Sequence, residues 1–109
     1  MILLDLCTAL LASRVTLIHV VGVLQAAGHE VSVWSALDRK CSREALIAAG
    51  VLEVFDDVYH MDAMLQMDDF AALRDAAWIS LEQLMKPAQV LRTHGVGEAR
   101  MPTWLGWLG

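Results

Sequence analysis

The first 36 residues alternate between strand-like and helix-like segments, and this pattern constrains the fold more than any other feature. Residues Ile2–Cys7 are apolar except for Asp5, which predicts a strand buried on both faces. Val15–Ala27 is an apolar stretch of helical length that ends at Gly28, and Val31–Trp34 predicts a second strand. A strand–helix–strand unit of this length indicates a parallel sheet, because parallel strands need a crossover connection.

The middle of the chain predicts one further helix and two further strands. Asp38 or Ser42 is expected to cap a helix that runs through Ala49 and ends at a glycine. Asp57–His60 predicts a third strand, and Ala63–Met67 is a candidate fourth strand.

The C-terminal third is expected to be helical. Asp68 or Asp69 is a good N-cap for a long amphipathic helix, which the break at Pro87 should end. Its apolar residues repeat at spacings of three and four: Phe70, Leu73, Ala77, Leu81 and Leu84. Residues 88–93 predict one or two more helical turns.

These elements predict an α/β fold with a small, mostly parallel sheet of three or four strands and helices on both faces. At 109 residues the chain is expected to be a single, Rossmann-like domain. Residues 98–109 form a Trp-rich tail, in which Trp104 and Trp107 are expected to pack on the domain or at a subunit interface.

Composition limits the partners of the chain. Its apolar fraction of 57% is high for a small domain, which favours a homo-oligomer or a protein partner. A net charge of −5 without a basic stripe argues against nucleic acid. The longest uncharged run, Val15–Gly28, is 14 residues and too short to span a membrane. Cys7 and Cys41 follow no metal or disulfide spacing, so we expect reduced thiols and a cytoplasmic location.

Polar side chains at the carboxyl ends of the first two strands mark the candidate site. Ligands of open α/β sheets bind at this edge, where Asp5, Cys7 and Ser35 fall. Asp5 could act as a nucleophile, bind Mg²⁺ or cap the following backbone N–H groups.

Several segments of the chain resemble the haloacid dehalogenase-like (HAD) phosphohydrolases. They are ILLDLCTALL, LQAAGHEVSVWSA, VFDDVYHMD and LQMDDFAALRDAA, which fall within residues 2–77. The resemblance implies that Asp5 is the nucleophile, that Ser35 binds the phosphoryl group and that Asp68 and Asp69 hold Mg²⁺ together with Asp5. The VSVWSA segment is also common in nucleotide-sugar glycosyltransferases and other Rossmann-like folds.

The chain departs from the HAD motif at several points. Cys7 stands where the second Asp, the general acid, belongs, and Cys is a poor acid for an alcohol leaving group. Ala9 stands where Thr is expected, and no Lys follows at a suitable place.

Two weaker patterns leave other chemistry open. Cys7 to Arg14 approaches the loop of cysteine phosphatases but is one residue too long, so we interpret Cys7 as a small apolar residue in preference to a nucleophile. His60 and Asp62, with Asp56 and Asp57, could form a carboxylate–imidazole metal site or serve as caps.

Two functions follow from the sequence. The first is a non-catalytic or weakly active HAD-like module that self-associates or binds a protein partner. The alternative is a Mg²⁺-dependent phosphatase that acts on a small phosphate ester through Asp5.

Overall fold

The computed structural model describes residues 1–60, 71 and 73–102, and within them a parallel sheet forms the centre of the fold. Four strands are described: β1 (Ile2–Asp5), β2 (Val31–Ser35), β3 (Val58–His60) and β4 (Ala77–Trp78). Their order is β3-β2-β1-β4, and every pairing between them is parallel. The predicted α/β fold with a small parallel sheet is confirmed.

Five described α-helices connect or follow the strands. Between β1 and β2 lie α1 (Leu6–Leu11) and α2 (Arg14–Ala26), and α3 (Arg39–Ala48) joins β2 to β3. After β4 come a single turn, α4 (Leu81–Leu84), and α5 (Pro87–Thr93). Short 3₁₀ turns occupy Leu52–Val54 and Glu98–Arg100.

Both faces of β1 are covered, as its apolar sequence predicts. Ile2, Leu3 and Leu4 are all buried although successive side chains of a strand point to opposite faces. On one face, the side chains of β1 and β2 pack against four residues of α2 that recur at helical spacing: Leu17, Val20, Val21 and Leu24. This apolar stripe fixes α2 on the sheet.

Local signals set the ends of the first helices. Ser13 caps α2 and Asp38 caps α3, each through a side-chain oxygen that accepts a backbone N–H. Gly28 follows α2 with a φ of 95°, a conformation that favours glycine at a helix C-terminus. Of the two predicted caps for α3, Asp38 and Ser42, the structure shows that Asp38 is the N-cap.

The first strand is shorter than the sequence predicted. The strand prediction Ile2–Cys7 is wrong at its end, because Asp5 caps a helix that begins at Leu6. Residues 8–11 continue α1, since Leu and Ala in this segment are good helix formers.

The long amphipathic helix predicted over residues 70–84 is also wrong. Ala71 and residues 73–75 are helical, but Ala77 and Trp78 pair with Ile2 and Leu3 as β4. Ser80 then starts a new helix through a reciprocal capping box with Gln83. In β4, backbone N–H and C=O groups are hydrogen bonded to β1. In a helix, the same groups would have been hydrogen bonded within the segment itself.

Several predictions fall outside the described residues. They concern the candidate strand Ala63–Met67, the acidic pair Asp68 and Asp69, Asp62, and the tail residues Trp104 and Trp107.

Candidate functional site

Asp5 lies at the carboxyl end of β1, where the sequence predicted the site, and its carboxylate caps α1. Its Oδ1 accepts a hydrogen bond from the backbone N–H of Thr8 at 3.1 Å. Asp5 as a whole is exposed. The capping role, one of the three alternatives for Asp5, is therefore present in the structure.

Ser35 lies at the carboxyl end of β2 and its side chain is buried. Its Oγ accepts a hydrogen bond from the N–H of Leu37 at 3.0 Å and lies 2.7 Å from the Oγ of Ser42. Ser42 Oγ in turn lies 2.8 Å from the carbonyl oxygen of Asp38. A carbonyl oxygen can only accept a hydrogen bond, so the Ser42 hydroxyl donates its proton to the carbonyl of Asp38. The Ser35 hydroxyl then donates its proton to Ser42 Oγ.

This chain of hydrogen bonds fastens the end of β2 to the first turns of α3. Ser42 is fully buried, and neither hydroxyl is open to a phosphate group in the solvent. The Ser35 hydroxyl therefore has a structural role that needs no ligand.

Asp5 and Ser35 share one edge of the sheet but lie on opposite faces. Asp5 pairs with Trp34, so Ser35 follows one position later, and alternation turns its side chain to the other face. Ser35 shares its face with Val31 and Val33, which belong to the core beneath α2. The register brings the two residues to neighbouring strand ends without aligning their side chains.

The two cysteines lie on the helices that follow these strand ends. Cys7 is exposed on α1, and Cys41 is exposed in the first turn of α3. The N–H of Cys41 donates to Asp38 Oδ1 at 2.8 Å, which holds the pKa of Asp38 below its usual value. The Asp38 carboxylate accepts from the Cys41 thiol and raises its pKa, so Cys41 is less readily ionised than an ordinary cysteine.

The acidic and histidine residues around β3 are separated by the strand itself. Asp56 precedes β3, and its Oδ2 accepts from the N–H of Val31 at 2.7 Å and from Gln25 Nε2 at 3.2 Å. His60 ends β3 and pairs with Ser35 at the opposite edge of the sheet. The described part of the predicted carboxylate–imidazole site is thus divided between two edges.

The described residues hold no cluster of three or more His, Cys, Asp or Glu side chains that could bind a metal ion. The expected Mg²⁺ ligands Asp68 and Asp69 lie outside those residues. Within the same described part of the chain, no helix has the length and apolar character needed to cross a bilayer.

A cavity that the sequence did not indicate lies between α4 and α5. Its volume is about 180 Å³, and Ile79 and Val90 supply its buried apolar lining. Glu82, Lys86 and His94 contribute polar groups to its wall. Burial and the nearby imidazole of His29 lower the pKa of His94. Two sequence features could have predicted this helix pair, namely the capping box at Ser80 and the proline that begins α5.

The outward side of α2 is a second notable surface. Nine large hydrophobic side chains among the described residues are exposed, and four of them lie within residues 10–18. Val15 is 50% exposed and Ile18 is 38% exposed, both on α2, while Leu11 of α1 is 70% exposed. The apolar surface of α2 is therefore broader than the side that packs against the sheet.

No family model matches the chain, and no curated protein or solved structure is significantly similar to it.

Proposed function

We propose that the protein is a non-catalytic α/β module that self-associates through the outward side of α2. The observation that carries this proposal is the absence of charge from that side beyond Arg14, the first residue of the helix. After Arg14, the exposed residues of α2 are Val15, Ile18, His19, Gly22 and Ala26. A helix face in contact with water ordinarily carries charged side chains, whereas an apolar face is covered by another surface.

The charged residues of α3 provide an internal comparison. Its exposed positions include Arg39, Lys40, Arg43 and Glu44, which is the composition expected of a helix face in water. Both helices pack on the same small domain, so the difference between their outer sides does not follow from domain size. The apolar outer side of α2 therefore supports a contact with a partner, whereas the charged outer side of α3 does not.

The polar groups at the carboxyl edge support a structural role there. Asp5 caps α1, Ser35 is fastened to Ser42, and Asp38 caps α3. These contacts account for the polar residues at the ends of β1 and β2 without a substrate. They favour the non-catalytic alternative over the phosphatase.

Self-association is tested by sedimentation equilibrium over protein concentrations from about 1 µM to 1 mM, which covers weak and moderate dimers. Ile18→Lys places a charge on the proposed surface, and we expect it to weaken association at least tenfold. Ile47→Lys makes the same change at an exposed position of α3 and is the matched control, which should associate like the unmodified chain. A chain that stays monomeric throughout this range would refute the proposed function.

The phosphatase alternative retains one supporting observation, the exposed carboxylate of Asp5 at the end of the first parallel strand. Asp5→Asn tests it cleanly, because Asn caps a helix about as well as Asp and should leave stability unchanged. Hydrolysis of p-nitrophenyl phosphate with Mg²⁺ that is lost in Asp5→Asn would favour the enzyme. Absent or unchanged hydrolysis would exclude Asp5 as a nucleophile.

A further inference from the structure

We infer that two copies of the chain pair through α2 in antiparallel orientation about a two-fold axis, with Ile18 of each copy opposite Gly22 of the other. This inference rests on the proposed self-association and adds its geometry. It follows from the order of residue sizes along α2, from the position of its single charge and from the space around Gly22.

The exposed side of α2 changes in size along the helix. The larger side chains, Val15 and Ile18, lie in its first half, and the smaller residues Gly22 and Ala26 lie in its second half. Antiparallel pairing sets the large half of one copy against the small half of the other. Parallel pairing would set large against large and would leave Gly22 opposite Gly22, with a gap between the helices.

The position of Arg14 favours the same orientation. It is the only charged residue of α2 and lies at its first position. With the axis near residue 20, the two Arg14 residues are separated by about 18 Å along the helices, given the rise of 1.5 Å per residue. Parallel pairing would bring the two guanidinium groups side by side, where like charges repel. Arg14 Nε also donates to the carbonyl oxygen of Gly50 at 3.0 Å, which draws the side chain toward its own domain.

Gly22 offers the point of closest approach. Beyond its neighbours and the backbone of its own helix, a Cβ added there would meet no atom of the described residues within 4 Å, so packing among those residues does not require glycine at this position. Glycine in a helix interior is unfavourable relative to alanine. Because Gly22 has no side chain, Ile18 of the partner copy would pack directly on the helix backbone, which would explain a glycine at this position.

The size of the surface sets the expected strength of the pair. A helix of 13 residues is about 20 Å long and about 10 Å wide. The product of this length and width is well below the ~800 Å² that each partner contributes to a standard interface, even when Leu10 and Leu11 are added. A second copy fits this modest, self-complementary surface, and we expect a weak dimer rather than a permanent one.

Disulfide trapping tests the orientation. In a chain whose exposed Cys7 and Cys41 are both replaced by Ser, Ile18→Cys and Gly22→Cys are introduced into separate copies, which are then mixed and oxidised. We expect the mixed 18–22 disulfide to form at least tenfold faster than either 18–18 or 22–22. Faster formation of 18–18 and 22–22 would show parallel pairing and would overturn the inference while leaving self-association intact.

Substitution of Gly22 tests the close approach independently. Gly22→Leu fills the space on which Ile18 is expected to pack, so it should weaken the dimer at least tenfold in sedimentation equilibrium. Gly22→Ala should raise the melting temperature of the dilute monomer and still weaken association. A dimer that is unaffected by Gly22→Leu would refute the inference, whereas a chain that never dimerises would refute the proposed function itself.

Discussion

Two buried serines on β2 provide a matched test of whether hydrogen bonding at the strand end is structural. Ser32 and Ser35 are both buried on the same strand, with exposed fractions of 0% and 1%. Ser35 Oγ is hydrogen bonded to Leu37 and Ser42, whereas Ser32 Oγ has no hydrogen-bond partner among the described residues. The same change to alanine should therefore have different consequences at the two positions.

The expected magnitudes follow from the bonds that each change removes. Ser35→Ala loses two neutral hydrogen bonds and leaves the N–H of Leu37 without its acceptor, so it should reduce the free energy of unfolding by about 2–3 kcal/mol. Ser32→Ala removes a buried hydroxyl that makes no hydrogen bond to the described residues, so it should be neutral or stabilising by up to about 1 kcal/mol.

Ser42→Ala completes a double-mutant cycle with Ser35→Ala. The change at Ser42 should cost less, about 1–2 kcal/mol, because the carbonyl of Asp38 still accepts from the backbone N–H of Ser42 at 3.0 Å. The bond between the two hydroxyls is lost in both single variants, so the double variant should be less destabilised than their sum by about 1 kcal/mol.

Urea denaturation followed by circular dichroism measures all four variants at a protein concentration below the onset of association. If Ser35→Ala and Ser32→Ala change the free energy of unfolding equally, the hydrogen-bond chain does not stabilise the fold. Stability that is unchanged or increased in Ser35→Ala would instead be the behaviour of a residue kept for ligand binding.

Two further predictions concern the opposite edge of the sheet and pH. Asp56→Ala should lower the free energy of unfolding by about 1.5–3 kcal/mol, because its carboxylate accepts from the N–H of Val31; an effect below 0.5 kcal/mol in urea denaturation would contradict this. His94 has its pKa lowered from 6.5 by burial, by His29 and by the amino terminus, so the unfolded chain binds the proton more tightly. Stability should therefore fall as pH drops below about 6.5. In His94→Gln the loss of stability between pH 7.5 and 5.5, measured by thermal melts, should be smaller. An equal loss of stability in both proteins would contradict this role of His94.

Elements with local signals could be predicted from the sequence. The capping carboxylate of Asp38 and the glycines after α2 and α3 act within a few residues, so a short window contains the whole cause. The apolar character of α2 predicts a helix packed on the sheet, but it does not identify the packed side, because Val15 and Ile18 on the outer side are apolar as well. These signals allowed α2, β2 and α3 to be predicted from the sequence, whereas the end of β1 and the helix α1 were not.

The fourth strand could not be predicted in this way. Ala77 continues a helical spacing of apolar residues, and only the pairing of Ala77 and Trp78 with β1, some 75 positions earlier, makes this segment a strand. A periodicity measured within one segment contains no information about such a distant partner. The same limitation applies to Ser35, whose bond to Ser42 exists because α3 folds back over the end of β2.

Contacts within the chain account for the polar side chains at the carboxyl edge of the sheet, but they do not account for the exposed apolar side chains of α2. At the carboxyl edge, Asp5, Ser35 and Asp38 each bond to a nearby group of the same chain, so a fold that bound nothing would still need them. On α2, Val15 and Ile18 gain little within the monomer, since half and over a third of their surfaces face water. Exposed apolar surface contributes to stability only when something covers it. Selection for folding alone therefore explains the first surface and leaves the second unexplained, which is the physical reason to seek the function of this protein on the outer side of α2.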